Sequence, residues 1–168
     1  HIRAAMRAGI REFLTKPLDS KLLAESMAKV VSQASTAIEV GTLVPIMGTI
    51  GGAGASVLAT NLAVELSSMV KNRPVALVDL DFRYGQLGTM LDLQSDYTIA
   101  DLCDTPEQLD ESMVARAMVK HSSGVHLLGR PNHFNQAEQI TAAHCASVLS
   151  TLQQLYEYVI VDGPTRND

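Results

Sequence analysis

The segment Gly48-Thr49-Ile50-Gly51-Gly52-Ala53-Gly54-Ala55-Ser56 constrains the fold more than any other part of the chain. It follows an apolar run from Thr42 to Met47 and precedes a helical pattern over Ser56 to Lys71, where Leu58, Leu62, Leu66 and Met69 recur on one face. Glycines between a strand and a helix let successive backbone N–H groups turn inward, and the helix N-terminus adds partial positive charge, so the segment can cradle a phosphate. A phosphate loop usually also carries a Lys just before the Ser or Thr that holds Mg²⁺. Here that position is Ala55, followed by Ser56. The backbone half of the device is present and the charge is not. A dinucleotide-binding loop fits poorly, because Val57 stands where a third Gly or Ala would allow close helix packing. Taken alone, the segment also reads as a Gly/Ala-rich turn.

Two acidic strand ends accompany the loop. Val75 to Leu80 is a near-continuous apolar run of the kind found in buried parallel strands, and it ends in Asp79-Leu80-Asp81. Such carboxylates fall at the C-terminal edge of a parallel sheet, where open α/β folds bind ligands. The two are expected to point alternately, so that one faces the loop. Tyr158 to Val161 is a second apolar strand and ends in Asp162-Gly163-Pro164, an arrangement that can hold Mg²⁺ through water. Between them the pattern predicts a helix over 110–120, a strand over 125–128 and a helix over 137–155. Alternating strands and helices give an α/β class with a mainly parallel sheet. Pro45 conflicts with a central position for the first strand, which would then start at Ile46 or bend.

Upstream of the loop the periodicity predicts a helix end over 2–9, a strand over 10–14 and an amphipathic helix over 19–34 capped by Asp19 or Ser20. Residues 35–41 lack a period and read as a linker. The expected organisation is one domain remnant over 1–34, the linker over 35–41 and a second domain over 42–168. Without an initiator Met, the chain reads as a piece of a longer protein.

With 168 residues, 46% hydrophobic and 18% charged, the composition suits a globular core. A net charge of -5 and the lack of any basic run argue against nucleic-acid binding. No apolar stretch approaches the roughly 18 residues of a membrane span, so membrane association is expected only indirectly or through further segments, and the cytoplasm is the default location. Cys103 and Cys145 read as reduced thiols outside any C-x-x-C pattern, and His121, His126, His133 and His144 lack ligand spacing and read as solvated or capping residues.

Ile50-Gly51-Gly52-Ala53-Gly54-Ala55-Ser56 resembles the K-G-G-x-G-K-(S/T) loop of the MinD/ParA class of P-loop ATPases, with Ile50 and Ala55 at the two lysine positions. The resemblance implies a P-loop NTPase fold, ATP and Mg²⁺ as cofactors, and a homodimer. It places Gly51, Gly52, Ala53, Gly54, Ala55 and Ser56 around the phosphates, Ser56, Asp81 and Asp162 around Mg²⁺, and Asp81 beside the attacking water. The first Lys of the family reaches across a nucleotide-sandwich dimer. Losing a positioned cation removes several kcal/mol of transition-state stabilisation, about a thousandfold in rate or more. Weak or absent hydrolysis is expected, with an ATPase-like class. If hydrolysis persists, Arg83 is the nearest basic residue that could replace the lysine.

Tyr97-Thr98-Ile99-Ala100-Asp101-Leu102, Val119-Lys120-His121, Ser123-Gly124-Val125-His126-Leu127-Leu128-Gly129-Arg130-Pro131 and Tyr156-Glu157-Tyr158 look like the CpaE/TadZ branch of that class. This branch places and assembles type IVb (Flp/Tad) pilus or secretion machinery at the cell pole. Its members carry an N-terminal receiver-like domain, and Phe13-Leu14-Thr15-Lys16-Pro17-Leu18 resembles a receiver's last strand and its Lys-Pro pair. Lys16 would then face a phosphorylated Asp, although a surface lysine before a turn proline is the plain alternative. The resemblance implies pilus or secretion assembly proteins as partners and recruitment to the cell pole or inner membrane face. Two other functions fit: an active partitioning ATPase of the MinD/ParA kind, and a response-regulator module with a non-catalytic ATPase-like output domain.

Overall fold

The structure, a computed structural model, describes residues 19–26, 40–104 and 109–165. The chain divides into two compact units, His1–Glu39 and Val40–Asp168. In the first, residues 20–26 are helical. Asp19 caps them: its side chain accepts the Lys21 N–H at 2.7 Å and its carbonyl accepts the Leu23 N–H at 2.9 Å. The expected segments 2–9 and 10–14, Lys16, and the rest of the helix lie outside the described residues.

The second unit runs β1 (Thr42–Met47), α1 (Ala55–Met69), β2 (Val75–Asp79), α2 (Leu87–Met90), α3 (Ile99–Cys103), α4 (Glu111–Ala117), β3 (Met118–Lys120), β4 (His126–Leu128), α5 (Phe134–Ala137), α6 (Ala142–Leu155) and β5 (Tyr158–Gly163). The sheet has the order β1-β5-β2-β4-β3. All neighbours pair in parallel except β3 with β4. This is the expected α/β class with a mainly parallel sheet.

The central strands β2 and β5 fix where the core lies. Every residue of β2 is buried, and its side chains alternate between two layers. Val75 and Leu77 join Ile160 and Leu127 under Ala59 and Ala63 of α1. Ala76 and Val78 join Val159, Val161 and Leu128 under Val148 and Leu152 of α6, with Ile99, Leu102 and Val114 from α3 and α4. Small residues at 59 and 63 bring α1 close to the sheet. The stripe expected to be its buried face is rotated: Leu58 is 59% and Met69 71% exposed, while Ala59 and Ala63 are fully buried. The helix is oriented by its polar flank, where Thr60 reaches Met90 Sδ at 3.8 Å and the Ser67 hydroxyl donates to the Ser123 carbonyl at 3.1 Å.

Pro45 lies inside β1, which starts at Thr42 and keeps its register with β5 through Met47. β1 is outermost among the described strands, and the Thr42 N–H donates to the Glu157 carbonyl at 2.8 Å. Even-numbered residues of β1 therefore face β5, and the missing N–H of Pro45 falls on the outer side, where it costs no ladder bond.

Two predicted elements are revised and one helix is new. The helix over 110–120 stops at Ala117, because Met118–Lys120 turns back along His126–Leu128 as β3. The turn closes with Gly124 at φ 92 and a 2.8 Å bond from the His121 N–H to the Val125 carbonyl. The helix over 137–155 begins only at Ala142, because Thr141 caps α6 through its side chain, and Phe134–Ala137 forms a separate short helix before it. The α3 helix was not anticipated, although Thr98 and Asp101 form its capping box.

Candidate functional site

The loop from Gly48 to Gly54 leaves β1 and enters α1 without a side-chain cap. Gly52 and Gly54 adopt φ 78 and 83, the left-handed region that side chains disfavour. The Ile50 carbonyl accepts the Ala53 N–H at 3.3 Å, and the Gly54 carbonyl accepts the Leu58 N–H at 2.9 Å as the first bond of α1. The N–H groups of the first helical turn, Ala55 to Val57, have no intrahelical acceptor. A Cβ added at Gly51, Gly52 or Gly54 would meet nothing within 4 Å. The result is an open concave row of N–H donors backed by a helix N-terminus.

The strand ends beside it are closed and acidic. Asp79 and Asp162 stand opposite each other in register on β2 and β5 and are 2% and 1% exposed. The Asp79 carboxylate accepts the Asp81 N–H at 3.2 Å and the Leu87 N–H at 3.3 Å. Burial still pushes its pKa up to about 7, with the neighbouring Asp162 and Asp81 charges adding to the rise. Burial also raises Asp162, aided by the charge of Asp81. The Ser56 hydroxyl lies near enough to Asp162 to oppose that rise. It falls short of hydrogen-bond geometry, so both Asp162 oxygens are buried without a partner.

Asp81 shapes the turn after β2. Its Oδ1 accepts the Arg83 N–H at 3.3 Å and the Tyr84 N–H at 2.9 Å, and its carbonyl accepts the Gly85 N–H at 2.8 Å. The expectation that Asp79 and Asp81 point alternately is corrected. Side chains two residues apart on one strand share a face, but β2 ends at Asp79; Asp79 bonds the start of α2, and Asp81, in the turn beyond the strand, lines the cleft.

A cleft of about 810 Å³ joins the parts. Gly51, Gly52 and Ser56 form one wall, Asp81 to Tyr84 another, and Phe134, Ala137, Glu138 and Ile140 a third. Gly51, Gly52, Ser56 and Asp81 are thus brought together, Ala53, Gly54 and Ala55 complete the same loop, and Asp162 is buried beside Ser56. Lys16 lies outside the described residues. Two supporting residues were not anticipated. Arg130 donates from Nε to the Gly85 carbonyl at 2.8 Å, and a Cβ at Gly85 would land on the Asp79 carboxylate. No short-range sequence signal links either to the loop.

The histidines are engaged locally. His133 and His144 complete capping boxes, His121 Nδ1 lies 2.8 Å from the Ser123 hydroxyl, and His126 Nδ1 lies 3.0 Å from the Tyr156 hydroxyl. Cys103 and Cys145 are free thiols, and burial pushes Cys103 up to about 12. Among the described residues, no helix is long and apolar enough to cross a membrane.

The donor set fits a magnesium-bound phosphate. The unpartnered Asp162 carboxylate beside a serine supplies hard oxygen ligands, and the open glycine row supplies N–H donors. The loop lysines that would add charge are absent.

Solved structures share this architecture. The chain is similar to a ParA family ATPase from Chlorobium tepidum TLS, with 24% identity and a TM-score of 0.71 over 77% of this chain and 54% of that one. It is similar to the septum site-determining protein MinD of Pyrococcus horikoshii OT3, solved with Mg-ADP, with 20% identity and a TM-score of 0.64 over 76% of this chain and 51% of that one. A chain of the MinC:MinD cell division protein complex of Aquifex aeolicus matches at 22% identity and a TM-score of 0.56, over 74% of this chain and 48% of that one. The chain spans about half the length of these proteins. No protein-family model and no curated protein matches the sequence. The likeness establishes the fold, an α/β domain with a mainly parallel sheet of the kind seen in MinD/ParA-like P-loop NTPase structures.

Proposed function

We propose that this chain is a MinD/ParA-like phosphate-loop domain that binds a magnesium nucleotide weakly and hydrolyses it slowly or not at all. It acts through protein contacts, as a localisation and assembly factor for type IVb (Flp/Tad) pilus or secretion machinery. The observation that carries the nucleotide part is Asp162: a carboxylate buried without a hydrogen-bond partner, beside the serine that opens α1, next to an open glycine cradle. Leaving a charged group in that state is costly unless a cation joins it or it takes up a proton.

In this reading the N–H groups of Gly51 to Ser56 hold the phosphates, and the Ser56 hydroxyl, Asp162 and Asp81 hold Mg²⁺, partly through water. The metal neutralises charge on the phosphate oxygens when bound. Asp81, which lines the cleft, would orient water. Ala55 and Ile50 leave the transferring phosphate without a loop cation, which lowers the rate by about a thousandfold or more. The pilus role is supported by the sequence resemblance between the motifs. Action through a partner is in keeping with the solved MinC:MinD complex of a structural relative. A homodimer, cytoplasmic location and recruitment to the pole belong to the same proposal.

Titrating the full-length protein with Mg-ATP and a non-hydrolysable analogue tests it. Measurable binding is expected with turnover well below the median enzyme rate of about 10 per second. Fast hydrolysis would sink the idea. Ala55→Lys is expected to tighten nucleotide binding by about tenfold or more, the scale of one added charge-assisted contact.

A further inference from the structure

Among the described residues that line the cleft, one carries a positive charge, and it comes from the turn after β2. That residue is Arg83, which shares the lining with the carboxylates of Asp81 and Glu138. Buried Asp79 and Asp162 add to the acidic side. A polyphosphate entering such a place needs positive charge beyond a single Mg²⁺, and neither Ile50 nor Ala55 supplies it.

Arg83 is unusually well supported for an exposed residue. Its turn is closed by Asp81, which accepts the N–H groups of Arg83 and Tyr84 at 3.3 and 2.9 Å. From below, Asp79 accepts the Asp81 N–H at 3.2 Å and the Leu87 N–H at 3.3 Å, and from the side Arg130 donates to the Gly85 carbonyl at 2.8 Å. The guanidinium itself rests over the Phe134 ring, 5.1 Å from its centroid, and so reaches from the turn to the α5 wall of the cleft. A guanidinium lying on a ring engages through its face, which leaves its in-plane N–H donors for an anion.

The geometry points to Arg83 as the residue that supplies the cationic contact to the outer phosphates of a nucleoside polyphosphate, with Phe134 as its rest. This inference depends on the nucleotide-binding reading given above. It moves the binding charge from the loop to the β2–α2 turn, a place from which an arginine can grip two phosphate oxygens at once.

Calorimetric titration of the full-length protein and its variants with Mg-ATP, AMP and Mg-tripolyphosphate tests the assignment. Arg83→Ala is expected to weaken Mg-ATP and tripolyphosphate by about ten- to a hundredfold and AMP by less than about threefold, so the preference for ATP over AMP collapses. Arg83→Lys should recover part of the loss because it keeps the charge without the fork. Phe134→Leu should weaken Mg-ATP by only about threefold, because it removes the rest and not the donor. An equal loss for ATP and AMP, or no loss, overturns the role of Arg83 while leaving nucleotide binding intact. Tripolyphosphate binding that depends on Arg83, with no gain from the nucleoside, keeps Arg83 and overturns the nucleotide reading. If wild-type protein binds neither ligand, both fall.

Discussion

The two sides of the cleft hold themselves together by opposite means. The phosphate loop is nearly all backbone: exposed glycines, two left-handed φ angles, and a cap with no side chain. The ends of β2 and β5 are all side chain: two facing carboxylates, almost wholly buried, one bonding the next loop and the other bonding nothing. A cradle made of backbone holds its shape whatever side chains stand at Ile50 and Ala55. Buried carboxylates cannot lose their counter-charge so freely, because each ionised group must be compensated or neutralised. The backbone side is therefore indifferent to the side chains at 50 and 55, while the carboxylate side is sensitive to whatever charge or proton meets Asp162.

The largest expected effect lies on the carboxylate side. The folded pKa of Asp79 is raised from 3.8 to about 7, and Asp162 shifts in the same direction. The contribution of a group raised in this way is fully present below its unfolded pKa and is lost as pH rises through the folded value. Without Mg²⁺, stability should therefore fall between about pH 4 and pH 7, by at most about 4 kcal/mol from Asp79. Urea melts at pH 5 and pH 8 measure the slope. Asp79→Asn should remove most of it, and an unchanged slope would break the contrast. Mg²⁺ at pH 8 should restore part of the loss, since a ligand that binds only the folded state stabilises it.

The loop side is tested by separating shape from space. Gly54→Val forces a β-branched residue to φ 83 and is expected to destabilise by about 2 kcal/mol while abolishing nucleotide binding. Gly51 needs no positive φ, and a Cβ there meets nothing within 4 Å. Gly51→Ala should therefore leave the melting temperature nearly unchanged yet weaken binding, because the methyl enters the cradle. Equal melting temperatures for the two variants would show that the loop is not held by its φ angles. Gly85→Ala reports on the joint between the two sides. Its Cβ would land on the Asp79 carboxylate, and a shift of that turn is expected to cost about 1–3 kcal/mol.

Much of this contrast was legible in the sequence, for identifiable reasons. The strand-loop-helix order of Thr42 to Lys71 and the apolar runs ending in Asp79 and Asp162 gave the sheet and the cleft, because buried parallel strands are continuous apolar segments. The φ demands of Gly52 and Gly54 are local and could be anticipated. The lateral supports could not. Arg130 reaches Gly85 across 45 residues, and the direction in which α1 turns its face depends on what Thr60 and Ser67 meet in space. β3 was hidden because Met118–Lys120 is too short to break a helical period, whereas Thr98 and Asp101 did carry a readable capping signal for α3.

The smallest expected effect extends the comparison to the strands beneath the two sides. Pro45 on β1 and Val161 on β5 stand opposite each other in register. The side chain of Val161 is 5% exposed and packs in the α6 layer, so Val161→Ala should cost about 2 kcal/mol through lost burial and the space left behind. Pro45 is exposed, and its missing N–H points away from β5. Pro45→Ala restores a donor on that outer side and frees the unfolded chain slightly. The two terms are small and act through different states, so the change should stay within about 0.5 kcal/mol. Chemical denaturation of the pair of variants measures both. A large loss at Pro45 would mean that the loop-bearing strand is clamped as tightly as the carboxylate-bearing one, and that the glycine loop draws its shape from the sheet and not from its own φ angles.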